Sequence, residues 1–120
     1  MKYDATITGI GKDAAALFEA SNMLIIFREE VPEDLAAISV LHNGKKLLET
    51  PKTGDTVIIC KKEFRISAIG DKALETLETL GHCTICFNGG TEATLPGYIM
   101  LEGVAIAPSD ITIGGQLKII

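Results

Sequence analysis

The sequence contains no tryptophan, and its aromatic residues are only four phenylalanines and two tyrosines. Apolar residues nevertheless make up 47% of the chain, so most of them are aliphatic. A chain of 120 residues with this composition can bury enough surface to hold one core without disulfide or metal staples. It is also too apolar to remain disordered. We therefore expect a single domain over residues 1–120 with an aliphatic core.

Three further shortages exclude broad classes of function. Eleven basic residues face sixteen acidic ones, and the net charge of −5 argues against a basic face for nucleic acid or anionic membrane. No apolar run approaches the roughly 18 residues of a membrane-spanning helix. Only three cysteines occur, and no signal-peptide pattern accompanies them, which favours a reducing cytoplasm over a disulfide framework. We expect a mildly acidic cytoplasmic protein that binds no nucleic acid and does not insert into a membrane.

The common catalytic and phosphate-binding motifs are also missing. Neither G-x-x-x-x-G-K-[ST] nor G-x-G-x-x-G occurs, and G-x-S-x-G and H-E-x-x-H are absent. Cys83 and Cys86 do spell C-x-x-C, the spacing of redox and zinc motifs. In a strand, however, residues three apart point to opposite faces and cannot share a metal ion. We interpret both as buried structural cysteines and predict no metal and no cofactor, with zinc or redox chemistry as the alternative.

Apolar and β-branched runs separated by turn residues dominate the chain. Seven or eight short strands are predicted, from residues 2–10, 23–27, a hairpin within 38–48, 56–60, 64–69, 82–87, 98–101 and 116–120. One helix is predicted at residues 71–80, capped by Asp71 and ended by Gly81. Residues 11–20 fit either a helical turn or a loop, and residues 32–35 fit a short helical turn. This pattern predicts a mainly β fold, a closed or nearly closed small barrel of about seven strands with one helix.

The stretch I-S-V-L-H-N-G-K-K-L-L, residues 38–48, is the most informative for function. Asn43-Gly44 between two apolar runs predicts a β-hairpin with a type I′ turn. His42 and Lys45 would then flank the turn and hold an imidazole at a solvent-reachable rim beside an ammonium group. A neutral imidazole nitrogen is a competent nucleophile and can carry a group covalently. The alternative is a histidine that is merely exposed.

Two other residues are candidates for binding an anion. His82, the second of only two histidines, follows the predicted helix end. It is either a partly buried histidine with one hydrogen bond or a second imidazole near His42. Arg28 ends the predicted buried strand and makes either a rim salt bridge or an anion contact.

Several segments in order resemble one known family. They are T-I-T-G-I-G, M-L-I-I-F-R-E, P-E-D-L, the strand ending at His42, L-G-H-C-T-I-C-F-N-G, L-P-G and the glycine-rich C-terminal strand. In this order and spacing the chain resembles the sorbitol (glucitol)-specific enzyme IIA component of the bacterial phosphoenolpyruvate-dependent phosphotransferase system.

The resemblance implies a role for His42 and a set of partners. His42 would accept a phosphoryl group from phospho-HPr and pass it to a cysteine of a sorbitol-type IIB component, which works with the membrane component IIC in sugar uptake. Lys45, Arg28 and His82 are candidates to steady the phosphoryl oxygens, and a homodimer remains open. The alternative from another class of function is a non-catalytic β-barrel module for binding or regulation.

Overall fold

The computed structural model describes residues 1–120, which form eight strands, three α-helices and one 3-10 turn. The strands are β1 (Tyr3–Ile10), β2 (Met23–Arg28), β3 (Val40–His42), β4 (Thr56–Ile59), β5 (Lys62–Ile69), β6 (Cys83–Cys86), β7 (Tyr98–Gly103) and β8 (Gln116–Ile119). The helices are α1 (Ala14–Ser21), α2 (Glu33–Ala36) and α3 (Ala73–Leu80), with the 3-10 turn at Pro108–Asp110. None of the helices is long and apolar enough to cross a membrane.

The strands close into one barrel in the order β1-β3-β2-β6-β7-β5-β4-β8. Two neighbouring pairs, β2 with β3 and β6 with β7, are parallel, and the others are antiparallel. Closure leaves no strand edge unpaired, which suits a sheet built from short strands. The predicted mainly β, closed-barrel fold is confirmed, with eight strands and two additional short helices.

The barrel interior is filled by alternate side chains of the strands. In β1, Tyr3, Ala5 and Ile7 point inward, as period-two alternation predicts, and the residues between them are exposed. The rest of the core is mostly isoleucine, leucine and valine, with Phe18 and Phe64 among its few aromatic members. The prediction of an aliphatic core is therefore confirmed.

The predicted hairpin at residues 38–48 is wrong. Its first half is the three-residue strand β3, but residues 43–47 form no strand, and neither Asn43 nor Gly44 has the positive φ of a type I′ turn. Instead β3 lies between β1 and β2 in the barrel wall. The hydrogen bonds that a hairpin would supply locally come from strands distant in the chain, and turn propensity carries no information about those partners.

A two-residue hairpin turn occurs elsewhere, between β4 and β5. Ile59 pairs with Lys62, and the turn residues Cys60 and Lys61 have φ values of 49° and 77°. The predicted connection, residues 61–63, is longer than this turn, because Cys-Lys lacks the glycine and asparagine that usually mark a two-residue turn.

Helix α3 matters most for the site that follows. Lys72, not Asp71, occupies its N-cap position and no side chain caps it, so the predicted Asp71 cap is wrong. Leu77 packs into the core, whereas Leu80 is half exposed. The predicted end is confirmed, because Gly81 adopts the left-handed conformation, with φ 63°, that glycine tolerates best.

Candidate functional site

His42 lies at the end of β3, inside the barrel wall. Its Cα pairs with Ile7 of β1 on one side and Arg28 of β2 on the other. Its exposed fraction is 0%, so the prediction of a solvent-reachable imidazole is wrong. The strands on both sides of β3 contribute to this burial, as do residues 43–48 and Gly81, whose backbone groups contact the imidazole.

Residues 43–48, which we call the covering segment, run along β1 and close over the end of β3. The Asn43 side chain accepts a hydrogen bond from the Thr6 backbone N–H at 2.8 Å, and the Asn43 N–H donates to the Thr6 carbonyl. At the other end, the Leu48 N–H donates to the Lys2 carbonyl at 2.8 Å. The segment is thus fixed at both ends against the first strand.

Both ring nitrogens of His42 are engaged by backbone groups. The Gly44 N–H donates to Nδ1 at 2.9 Å, so Nδ1 carries the lone pair, and Nε2–H donates to the Gly81 carbonyl at 2.7 Å. Burial lowers the pKa of His42 below its ordinary value, the Gly81 hydrogen bond opposes this shift, and the charge of Arg28 reinforces it. His42 is therefore a neutral imidazole in one fixed tautomer.

Arg28 joins the covering segment to the end of α3. Its Nε donates to the Gly44 carbonyl at 2.7 Å, and Nη2 donates to the Lys45 carbonyl. On the other side, Nη1 donates to the Thr79 carbonyl at 3.2 Å and Nη2 reaches the Glu78 carbonyl at 3.4 Å. Carbonyls in the last turn of a helix lack helical partners, so a guanidinium suits them. Arg28 makes no ion pair, so the predicted rim salt bridge is wrong.

A single residue, Gly44, connects His42 and Arg28. Its N–H contacts the imidazole and its carbonyl contacts the guanidinium. A Cβ at this position would lie 2.5 Å from the Tyr3 hydroxyl, so only glycine fits. The same holds at Gly81, where a Cβ would lie 2.9 Å from both His42 Cε1 and the Arg28 Cβ. Close packing of two glycines therefore fixes how the imidazole and the guanidinium sit.

Glu78 supplies a second connection from α3. Its carboxylate accepts a hydrogen bond from the backbone N–H of Leu47 in the covering segment. Together, Glu78 and Arg28 close the segment over His42 from the side opposite β1.

Tyr3 lies against the other face of this arrangement. Its ring is edge-on to His42, with 5.9 Å between the centroids, and the side chain is 1% exposed. Burial raises the pKa of Tyr3 to about 12 despite the opposing influence of the Arg28 charge. The Arg28 guanidinium lies close enough to the hydroxyl to lower its pKa by side-chain contact as well as by charge, but no group reaches the hydroxyl with hydrogen-bond geometry.

The remaining predicted site residues lie nearby but play different parts. His82 directly follows Gly81, is half buried, and donates from Nδ1 to the Ile26 carbonyl at 3.1 Å. Its ring stacks on Phe27 with 4.0 Å between centroids. The Lys45 side chain is exposed and forms no ion pair; only its carbonyl joins the site. The structure therefore brings His42 and Arg28 together. His82 is the residue after Gly81, which His42 contacts, and the Lys45 ammonium lies outside the site.

The cysteines lie apart from this site. Cys83 is in the main core, where burial raises its pKa to about 12, and Cys86 packs in a separate small cluster with Ala68 and Met100. Both are free thiols on opposite faces of β6, in agreement with the interpretation of C-x-x-C. No three histidine, cysteine, aspartate or glutamate side chains converge in a way that could hold a metal ion.

Sequence reasoning missed Tyr3, Gly44 as a contact residue, and Glu78. A signal existed only for Tyr3, because the alternation of β1 places its hydroxyl on a buried face, where a polar group needs a partner. Glu78 lies in an exposed, charged part of α3 and reaches the site only through the tertiary fold.

Comparison with known proteins agrees with this picture. The family described as "PTS system glucitol/sorbitol-specific IIA component" matches residues 2–118. The glucitol/sorbitol-specific EIIA components of Shigella flexneri and Escherichia coli K12 are each 34% identical over 116 residues, covering 97% of this chain and 92% of the relative. The crystal structure of a PTS system IIA component from Enterococcus faecalis V583 has the same fold. Its TM-score is 0.80 at 24% identity, covering 96% of this chain and 97% of that one.

The matches to the family and to both relatives span nearly the whole chain, and the family match, over residues 2–118, includes the residues around His42. This chain belongs to the glucitol/sorbitol-specific IIA component family of the phosphotransferase system.

Proposed function

We propose that this protein is a cytoplasmic phosphocarrier that receives a phosphoryl group on His42 from phospho-HPr. One observation carries the proposal: in a member of this family, His42 is held as a neutral imidazole beside the Arg28 guanidinium. A neutral imidazole has the lone pair that a nucleophile needs, and a guanidinium is the group best suited to phosphoryl oxygens.

The transfer balances without a cofactor. A ring nitrogen of His42 attacks phosphorus as the phosphorus–nitrogen bond to the donor imidazole of HPr breaks. His42 loses its ring proton, and the donor imidazole gains one as it leaves. In the second transfer, a cysteine thiol of a sorbitol-type IIB component loses its proton and its sulfur attacks phosphorus. The phosphorus–nitrogen bond to His42 breaks and His42 regains a ring proton. IIB with IIC then phosphorylates the sugar during uptake. Such steps depend mainly on in-line positioning and on charge stabilisation.

The covering segment must open for either step. In the closed arrangement Gly44 covers Nδ1 at 2.9 Å and the Gly81 carbonyl covers Nε2 at 2.7 Å. Nδ1, which carries the lone pair, can attack once the Gly44 N–H moves away, whereas Nε2 must first also give up its proton. Movement of residues 43–48 would also release Arg28 from the Gly44 and Lys45 carbonyls, so its guanidinium becomes available to the arriving group.

The other predicted support residues then have distinct parts. His82 presents Nε2, the nitrogen not bound to Ile26, from the residue after Gly81. Lys45 lies on the covering segment itself, so its ammonium moves with that segment. We assign Arg28 the main role with the phosphoryl oxygens and His82 and Lys45 auxiliary ones.

Phosphorylation of single-histidine variants tests the proposal. Incubation with phosphoenolpyruvate, enzyme I and HPr should add one acid-labile, base-stable phosphate to the wild type and to His82→Gln, and none to His42→Gln. Intact-protein mass spectrometry measures the added mass, and thermal unfolding of each variant checks that it is folded. Phosphate on a folded His42→Gln variant would reject the assignment.

The complete burial of His42 favours a second candidate function. A histidine with 0% exposure and two backbone hydrogen bonds also fits a non-catalytic barrel module that has kept the fold without transfer. The same incubation separates the two functions, because such a module leaves all three proteins without phosphate.

A further inference from the structure

The Tyr3 hydroxyl is the one buried side-chain oxygen or nitrogen in the chain without a hydrogen-bond partner. Nearly all such groups in folded proteins are paired, so an unpaired one requires an explanation. Tyr3 is inside the barrel, 1% exposed, next to the histidine to which we assign phosphoryl transfer. We propose that Tyr3 is a further phosphoryl-contacting residue, whose hydroxyl donates a hydrogen bond to the phosphoryl group on His42.

The position of the hydroxyl supports this role. It lies against Gly44, at 2.5 Å from where a Cβ of that residue would be. The N–H of the same glycine covers Nδ1 of His42. When the covering segment opens, the departure of Gly44 uncovers the imidazole and the Tyr3 hydroxyl together.

The chemistry of the hydroxyl fits an anionic partner, the phosphoryl group, that is present only when His42 is phosphorylated. With a pKa of about 12, the phenol stays protonated at neutral pH and can donate. A phosphoryl group brings three strong acceptor oxygens. Arg28, which donates to the Gly44 and Lys45 carbonyls, would supply the positive charge, and Tyr3 would supply a directed donor from the barrel interior.

This role predicts that Tyr3→Phe affects the unphosphorylated and the phosphorylated protein differently. Loss of a hydroxyl that has no partner should leave the melting temperature of the unphosphorylated protein unchanged or raise it. Loss of a donor to the phosphoryl group should destabilise the phosphorylated form relative to the unphosphorylated one. A hydrogen bond that forms only in that form shifts the equilibrium by about three- to tenfold.

The test rests on the proposed function and compares three proteins: wild type, Tyr3→Phe, and Tyr98→Phe. Tyr98 is the only other tyrosine and lies half buried in β7, away from His42. Each is equilibrated with HPr and a limiting amount of phosphoryl groups, and the ratio of phosphorylated chain to phosphorylated HPr is measured. We expect this ratio to fall three- to tenfold in Tyr3→Phe alone, with a changed ³¹P chemical shift of its phosphohistidine.

Each other outcome overturns the inference in a distinguishable way. If Tyr3→Phe matches the wild type in ratio and ³¹P shift, Tyr3 does not contact the phosphoryl group, and the proposed function stands. If Tyr3→Phe melts at a lower temperature and the ³¹P shift of its remaining phosphohistidine is unchanged, the role of the hydroxyl is structural. If the wild type itself accepts no phosphoryl group, the proposed function and this inference fail together.

Discussion

Both histidines adjoin Gly81, the residue that ends α3: His42 donates to its carbonyl and His82 follows it in the chain, but their surroundings differ sharply. His42 is fully buried, with both ring nitrogens bound to backbone groups. His82 is half buried, with one nitrogen bound to Ile26 and the ring stacked on Phe27. By exposure alone, His82 is the more available nucleophile. By preorganisation, His42 is better prepared, because its tautomer is fixed and a guanidinium adjoins its covering segment.

The difference shows how a reactive group can be kept both positioned and protected. An imidazole held by two backbone hydrogen bonds has little rotational freedom to lose before reaction. The cost is that a part of the chain must move first, and residues 43–48 are attached mainly through Arg28, Glu78 and β1. Three predictions test this contrast.

The largest effect is expected for Gly81→Ala. A Cβ there would lie 2.9 Å from His42 Cε1 and from Arg28, at a residue whose φ is +63°. The left-handed backbone costs an alanine about 1–2 kcal/mol, and overpacking adds about 1–3 kcal/mol. We expect urea unfolding to show a loss of about 2–5 kcal/mol and imidazole NMR signals to shift more for His42 than for His82.

Gly54→Ala is the matched control for that variant. Gly54 also has a positive φ, of 96°, but nothing lies within 4 Å of its Cβ position. It should therefore show only the backbone cost of about 1–2 kcal/mol and unchanged histidine signals. Equal losses in the two variants would mean that Gly81 does not hold His42 through close packing.

The next effect is the pH dependence of stability. Burial lowers the pKa of His42, so below about pH 6.5 the unfolded chain takes up a proton that the folded chain resists. The unfolded state then binds more protons, and the free energy of unfolding falls as pH falls, by at most about 1.4 kcal/mol per pH unit. Urea unfolding between pH 7.5 and 5.5 should show this decline in the wild type and in His82→Gln. In His42→Gln the part of this pH dependence that comes from His42 should be absent. If His42→Gln loses as much stability as the wild type between pH 7.5 and 5.5, His42 is not a neutral, buried imidazole in the folded protein.

The fold could be predicted from the sequence largely because its signals are local. Alternation in β1, the apolar run of β2 and the glycine at the end of α3 each depend on neighbouring residues, and each was predicted correctly. Turn signals at short intervals were enough to indicate a closed barrel.

The site was predicted only in part because its contacts are non-local. Asn43-Gly44 has the local chemistry of a hairpin turn, but Gly44 is held by Arg28 and by the ring of His42, and it packs against Tyr3. The pairing of β3 with β1 and β2 overrides turn propensity there. His42 could be singled out as a candidate, but its burial and its covering segment depend on strands and a helix far away in the chain.

The smallest effect is expected for Glu78→Ala, which removes the acceptor of the Leu47 N–H and so loosens the covering segment. A partly exposed hydrogen bond to a charged group contributes about 1 kcal/mol, which corresponds to roughly a fivefold change in opening. The exposed Lys45 and Lys46 make this opening measurable as faster tryptic cleavage and faster amide exchange at Leu47. Glu75→Ala is the control, because the Glu75 carboxylate, on the same helix, pairs only with Lys72, at 3.4 Å. If opening limits phosphoryl transfer, Glu78→Ala should also be phosphorylated about fivefold faster than Glu75→Ala. Equal cleavage of the two variants would show that Glu78 does not hold the segment closed, and the protection of His42 would then depend on Arg28 and β1.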